Sequence, residues 1–151
     1  MNNKWHKRFL ELADLISTWS KDPSSKIGAV IVDKDNRVVS TGYNGFAKNV
    51  KDTPERYDNR DIKYKIVLHA EENAMSYARR DLTGCVLYVS GLMPCSHCAS
   101  LIIQNGIKTV VTWKKEVPER WKESMDLTKE IFNEAGVEMI EIEKDKDNAN
   151  G

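Results

Sequence analysis

Apolar residues recur at helical spacing over Trp5, Phe9, Leu12, Leu15, Ile16 and Trp19, which predicts an amphipathic first helix with that stripe in the core. Asp22-Pro23-Ser24 is expected to end it, and His6 falls on its solvated side. Ile27 to Val32 is an apolar, β-branched run, resumed by Val38-Val39-Ser40-Thr41 after Asp33-Lys34-Asp35-Asn36, the pattern of a β-hairpin. Gly42-Tyr43-Asn44-Gly45 interrupts the second strand, where its two glycines permit a turn that other residues resist. Residues 46–65 are polar and charged, too long to be only a connector, and are expected to hold a short helix and to act as a lid or contact segment. Good helix formers follow from His69 to Arg80, entered through Ile66-Val67-Leu68. Cys85 to Val89 reads as a buried strand, and Cys95 to Asn105 as a helix stopped by Gly106. Ile107 to Trp113 is another strand. Pro118 to Ala135 is a helix with Trp121, Met125, Ile131 and Phe132 on one face, and Val137 to Ile142 is a last strand. The order α-β-β-α-β-α-β-α-β predicts an α/β fold, a three-layer α/β/α sandwich around a mixed five-stranded sheet. Its hairpin is antiparallel, and crossover connections make the other pairings largely parallel.

Length and charge narrow the picture. The 151 residues suit one domain, expected over residues 1–142, with 143–151 a solvated tail that lacks an apolar face. Lys+Arg and Asp+Glu balance at 23 each, so nothing global attracts a nucleic acid or an anionic membrane. The absence of a long apolar run and of a signal-peptide block predicts a cytoplasmic protein. Two of the three cysteines form a Cys-x-x-Cys, which in a reducing compartment speaks for a metal rather than a disulfide.

The chemistry concentrates in His69-Ala70-Glu71 and Pro94-Cys95-Ser96-His97-Cys98. One imidazole and two thiols are ligands that Zn²⁺ takes, and three protein ligands leave its fourth position open for water. Both segments start helices at the carboxyl ends of strands, where ligands gather in such sheets. The positive ends of the two helix dipoles favour thiolate at Cys95 and Cys98. Zinc lowers the pKa of its water to about 7, so hydroxide can attack an sp² carbon that bears an amino group. Glu71 would take the water proton, pass it to the ring nitrogen and protonate departing ammonia. The N–H groups of Ala70 and Cys95 suit the base edge. His97, between the two thiols, points elsewhere on its helix. Glu72 faces another side from Glu71 and reads as structural, and Cys85 as core. A small domain held together by a structural zinc would explain neither Glu71 nor the missing fourth ligand.

This H-x-E…P-C-x-x-C arrangement is the signature of zinc-dependent nucleobase deaminases. The chain resembles the cytidine and deoxycytidylate deaminase family, most closely its dCMP deaminases. The resemblance rests on Ser25 to Val32, Gly42-Tyr43-Asn44-Gly45, His69 to Ala74, Leu87-Tyr88-Val89, Pro94 to Cys98 and Ile103 to Lys108. It implies zinc on His69, Cys95 and Cys98, Glu71 as proton shuttle, and dCMP converted to dUMP and ammonia. It also implies a homo-oligomer, commonly a hexamer, with active sites near subunit interfaces. Control by dCTP and dTTP occurs in the family, but residues 46–65 lack the Cys and His with which larger members bind a second zinc. By resemblance Lys26, flanked by Ser24 and Ser25, would meet the monophosphate, and Asn44 the deoxyribose. Arg56 is a further phosphate candidate, and Trp113 stands where relatives often carry a tyrosine near the site. The competing readings are a tRNA adenosine deaminase, disfavoured by the balanced charge, and a non-catalytic zinc-binding interaction module, disfavoured by Glu71.

Overall fold

A computed structural model describes residues 3–144, so most of the expected tail, from 145 onward, lies outside the described residues. Helix α1 (Asn3–Ser17) leads into the hairpin of β1 (Gly28–Val32) and β2 (Val38–Tyr43). A short β3 (Gly45–Phe46) pairs with β4 (Val67–Leu68), and between them run α2 (Pro54–Asp58) and α3 (Arg60–Ile66). The long polar segment therefore holds two short helices, capped by the side chains of Thr53 and Asn59. Then follow α4 (Ala70–Ala78), β5 (Val86–Val89), α5 (Ser96–Gln104), β6 (Thr109–Trp113), α6 (Glu119–Ala135) and β7 (Glu138–Ile142).

The main sheet has five strands in the order β2-β1-β5-β6-β7. The sheet is mixed, as expected, and the one pairing outside the hairpin that is not parallel is β1–β5. β1 is antiparallel both to β2 and to β5, and only β5–β6 and β6–β7 are parallel. The crossover through α4 carries the chain from β2 past β1, so β5 runs parallel to β2 but lands beside the oppositely directed β1.

Both faces of the sheet are covered, as the unbroken apolar strands require. Ala29, Ile31, Leu87, Val89 and Val110 pack with α4, α5 and Phe132 of α6. The alternate residues Val30, Val32, Tyr88, Val111 and Trp113 pack with α1. Helix α4 sits almost directly on β2. A Cβ on Gly42 would lie 2.4 Å from the Ala74 nitrogen and 2.6 Å from the Ala70 carbonyl oxygen.

The buried face of α1 is rotated from the one expected. Its buried residues are His6, Phe9, Leu10, Ala13 and Ile16, whereas Leu15 and Trp19 are more than half exposed and Trp5 is 38% exposed. His6 is not solvated. Its Nδ1 lies 2.8 Å from the Tyr88 hydroxyl, and that hydrogen bond lets a polar ring occupy the core. The helix also ends earlier than Asp22-Pro23-Ser24, at Ser17. The hydroxyls of Ser17 and Thr18 donate to the Asp14 and Leu15 carbonyls and close the last turn.

Candidate active site

His69 and Cys95 are the N-cap residues of α4 and α5, and Cys98 lies in the first turn of α5. His69 Nδ1 is 3.1 Å from Cys98 Sγ and 3.7 Å from Cys95 Sγ. The three ligand atoms all lie within 4.8 Å of one another. Ligands at ordinary zinc distances on a tetrahedron are about 3.6–3.8 Å apart. The donor set and its spacing thus fit one tetrahedral ion.

An N-cap side chain normally accepts a hydrogen bond from the first turn of its own helix. The His69 side chain and Glu72 form a reciprocal capping box at the start of α4, while Cys95, at the start of α5, lies with its thiol close to Cys98 and His69. Other residues support the two helix starts. Glu72 reaches back to accept the His69 N–H at 2.8 Å, which makes it the structural residue the sequence suggested. Ser124 of α6 accepts the Ser96 N–H at 3.0 Å, and the buried Thr128 donates to the Pro94 carbonyl at 2.8 Å. Neither α6 residue was visible as a site residue, because nothing local in the sequence brings α6 to the start of α5.

Glu71 lies in the first turn of α4 and keeps 5% of its surface. Burial pushes its carboxyl from 4.5 up to about 7. It can therefore both take and give a proton near neutral pH. Cys95 is held down to about 3, chiefly by the hydrogen bond from the Cys98 thiol and then by His69, against the opposing effect of burial. Beside that thiolate the Cys98 thiol is pushed upward, and the hydrogen bond to Cys95 raises His69 to about 9 against its own burial. Ala70 is fully buried, and its N–H belongs to the first turn, where no helical carbonyl precedes it.

Residues 3–114 match the sequence model of the cytidine and deoxycytidylate deaminase zinc-binding region. The chain belongs to that family. Among its relatives, an uncharacterized deaminase of Aliivibrio fischeri is 46% identical over 141 residues, 92% of this chain and 94% of that protein. The deoxycytidylate deaminase of Homo sapiens is 41% identical over 142 residues, 89% of this chain and 77% of that protein. A dCMP deaminase from the cyanophage S-TIM5 shares the fold, with a TM-score of 0.72 at 23% identity, covering 94% of this chain and all of that one.

The remaining candidates of this deaminase-family chain fall in two places. Ser24, Lys26 and Asn44 meet in one polar cluster where the chain enters β1. Asn44 is buried, accepting the Ile27 N–H at 2.8 Å and donating to the Ser25 carbonyl at 2.7 Å and to Asp22 at 3.3 Å. Lys26 donates to the Ser20 carbonyl, and Ser24 donates to Asp22. Arg56 instead donates to the Lys51 carbonyl within its own segment, and the cation from residues 46–65 that reaches Ser24 is Lys63, which the sequence did not single out. His97 is exposed, and Cys85 is buried core. Trp113 does not form a wall of the site, since alternation along β6 turns it to the α1 face, where its indole donates to Asp14 at 3.1 Å.

The polar cluster and the candidate metal ligands are held together by short strands. Gly45, next to Asn44, pairs with Leu68, next to His69. Asn73 of α4 donates to the Tyr43 carbonyl at 2.7 Å. The Gly28 N–H is accepted by Ser90, at the carboxyl end of β5, five residues before Cys95.

No helix among the described residues is long and apolar enough to cross a membrane.

Proposed function

We propose that this chain is a zinc-dependent dCMP deaminase that hydrolyses dCMP to dUMP and ammonia. The observation that carries the reading is one imidazole nitrogen and two thiols gathered at two helix starts, with a buried carboxyl two residues from the imidazole. The choice of dCMP is supported by the named activity of the human relative.

His69, Cys95 and Cys98 would hold the zinc. When bound there, zinc lowers the pKa of a water toward about 7 and supplies the nucleophile for C4 of the base. Glu71 accepts one proton of that water and delivers it to the ring nitrogen, which removes the negative charge that attack would place on the ring. It then takes the second proton of that water, now on the C4 hydroxyl, and passes it to the exocyclic amine; C4=O forms as the C4–N bond breaks, and the atoms balance as dCMP plus water giving dUMP plus ammonia. Burial, which raises the Glu71 carboxyl above the usual carboxylate range in the metal-free chain, favours its holding a proton between the two steps. The Ala70 N–H orients the base edge. Lys26 and Ser24 provide a charge and a hydroxyl for the monophosphate, and Asn44 retains a lone pair on Oδ1 for a sugar hydroxyl.

The test is ammonia release from dCMP, CMP, dCTP, deoxycytidine and an adenosine-containing tRNA hairpin. The reading expects dCMP to lead, with turnover lost on zinc chelation and restored by added zinc. Turnover of the hairpin alone, or undiminished turnover after chelation with zinc shown to be absent, would overturn it.

A further inference from the structure

Lys63 reaches out of α3 to an ion pair that is nearly closed to solvent. Its Nζ lies 2.9 Å from Asp22, with side-chain exposures of 12% and 2%. The same ammonium donates to Ser24 Oγ at 2.8 Å. Asp22 also accepts the Ser24 and Ser25 N–H groups at 2.9 and 3.2 Å, the Ser24 hydroxyl at 3.0 Å and the Asn44 amide at 3.3 Å. A formal negative charge therefore lies directly beneath the loop of Ser24, Ser25 and Lys26, and the cation that faces it comes from 41 residues away.

A buried ion pair is a poor source of stability, because removing both charges from water costs about what their attraction returns. Its effect on charge and geometry is more specific. The exposed loop of Ser24 to Lys26 is where a monophosphate dianion would rest in the proposed function. An uncompensated Asp22 carboxylate would repel that dianion across a partly buried, weakly screened path. We infer that Lys63 is a positioning and specificity-determining residue for the nucleotide. It neutralises Asp22 and orders the serine loop, so that the enzyme distinguishes a nucleoside monophosphate from the free nucleoside. This inference rests on the dCMP reading. It assigns Lys63 no contact with the reacting atoms.

The test compares dCMP and deoxycytidine as substrates of the zinc-loaded protein and its variants. Lys63→Met is expected to raise KM for dCMP about tenfold or more, while kcat/KM for deoxycytidine falls less than about threefold. Adding Asp22→Asn removes the exposed charge and is expected to return KM for dCMP to within about threefold of the parent value. Lys63→Arg keeps the charge and should keep the preference for dCMP, which also covers the case in which Lys63→Met does not fold. Equal losses on both substrates, a double variant no better than Lys63→Met, or loss of the dCMP preference in Lys63→Arg would each overturn the inference. A parent enzyme without preference for dCMP over deoxycytidine would overturn the dCMP reading itself, and would be seen before any variant is made.

Discussion

At the scale of single residues, Glu71 carries the sharpest conflict between stability and function. A buried carboxyl titrating at about 7 instead of 4.5 makes folding progressively less favourable as pH rises between those values. Its contribution is unpenalised below about pH 4.5 and fully penalised above about pH 7. The metal-free Glu71→Gln protein should accordingly be more stable than the metal-free parent by up to about 3 kcal/mol at pH 8, with little difference near pH 4.5. Denaturant titrations at the two pH values check this, and a difference that does not change with pH would contradict it. The placement of Glu71 beside His69 at a helix start was legible in the sequence because it depends on a two-residue spacing. The environment of His6 was not, because its partner Tyr88 lies 82 residues away and the large rings of Trp5 and Trp19 drew the apolar stripe toward the wrong edge of the helix.

Among the elements, the two helices whose starts carry the candidate ligands show how residues elsewhere in the fold support a site. Glu72, Ser124 and Thr128 fix the two helix starts through the His69 N–H, the Ser96 N–H and the Pro94 carbonyl. Thr128→Val keeps the side-chain shape but leaves the Pro94 carbonyl without its donor. It should cost about 1–3 kcal/mol of stability. By loosening the segment that enters Cys95, it should also weaken zinc binding about tenfold, read by competition with a chromophoric chelator. Unchanged zinc affinity with lowered stability would confine Thr128 to a packing role. The longer helices and the five strands of the main sheet were readable from period and punctuation, with Gly106 and Gly136 at positive φ just past helix ends, whereas β3 and β4 were not. What escaped was long-range. No local pattern tells β5 to pair with β1, or α6 to support α5, or Lys63 to meet Asp22.

For the whole molecule, the two apolar faces of the sheet divide the labour. The α1 side is packing, with Phe9, Tyr88 and Trp113 in one cluster. The other side carries α4 and α5, whose starts bring three ligand atoms and a buried acid to the same end of the fold. In the proposed function, the balanced charge of the chain would leave selection of an anionic substrate to local groups around Ser24 and Lys26 rather than to a global field. The central claim is that these three ligands hold a zinc beside which Glu71 moves protons. It is tested most directly by measuring zinc content and the rate of dCMP loss on the same samples of the parent and of Glu71→Gln. The account predicts stoichiometric zinc in both proteins and deamination in the parent alone. Turnover by Glu71→Gln near the parent rate, or a parent that deaminates dCMP without holding zinc, would contradict it.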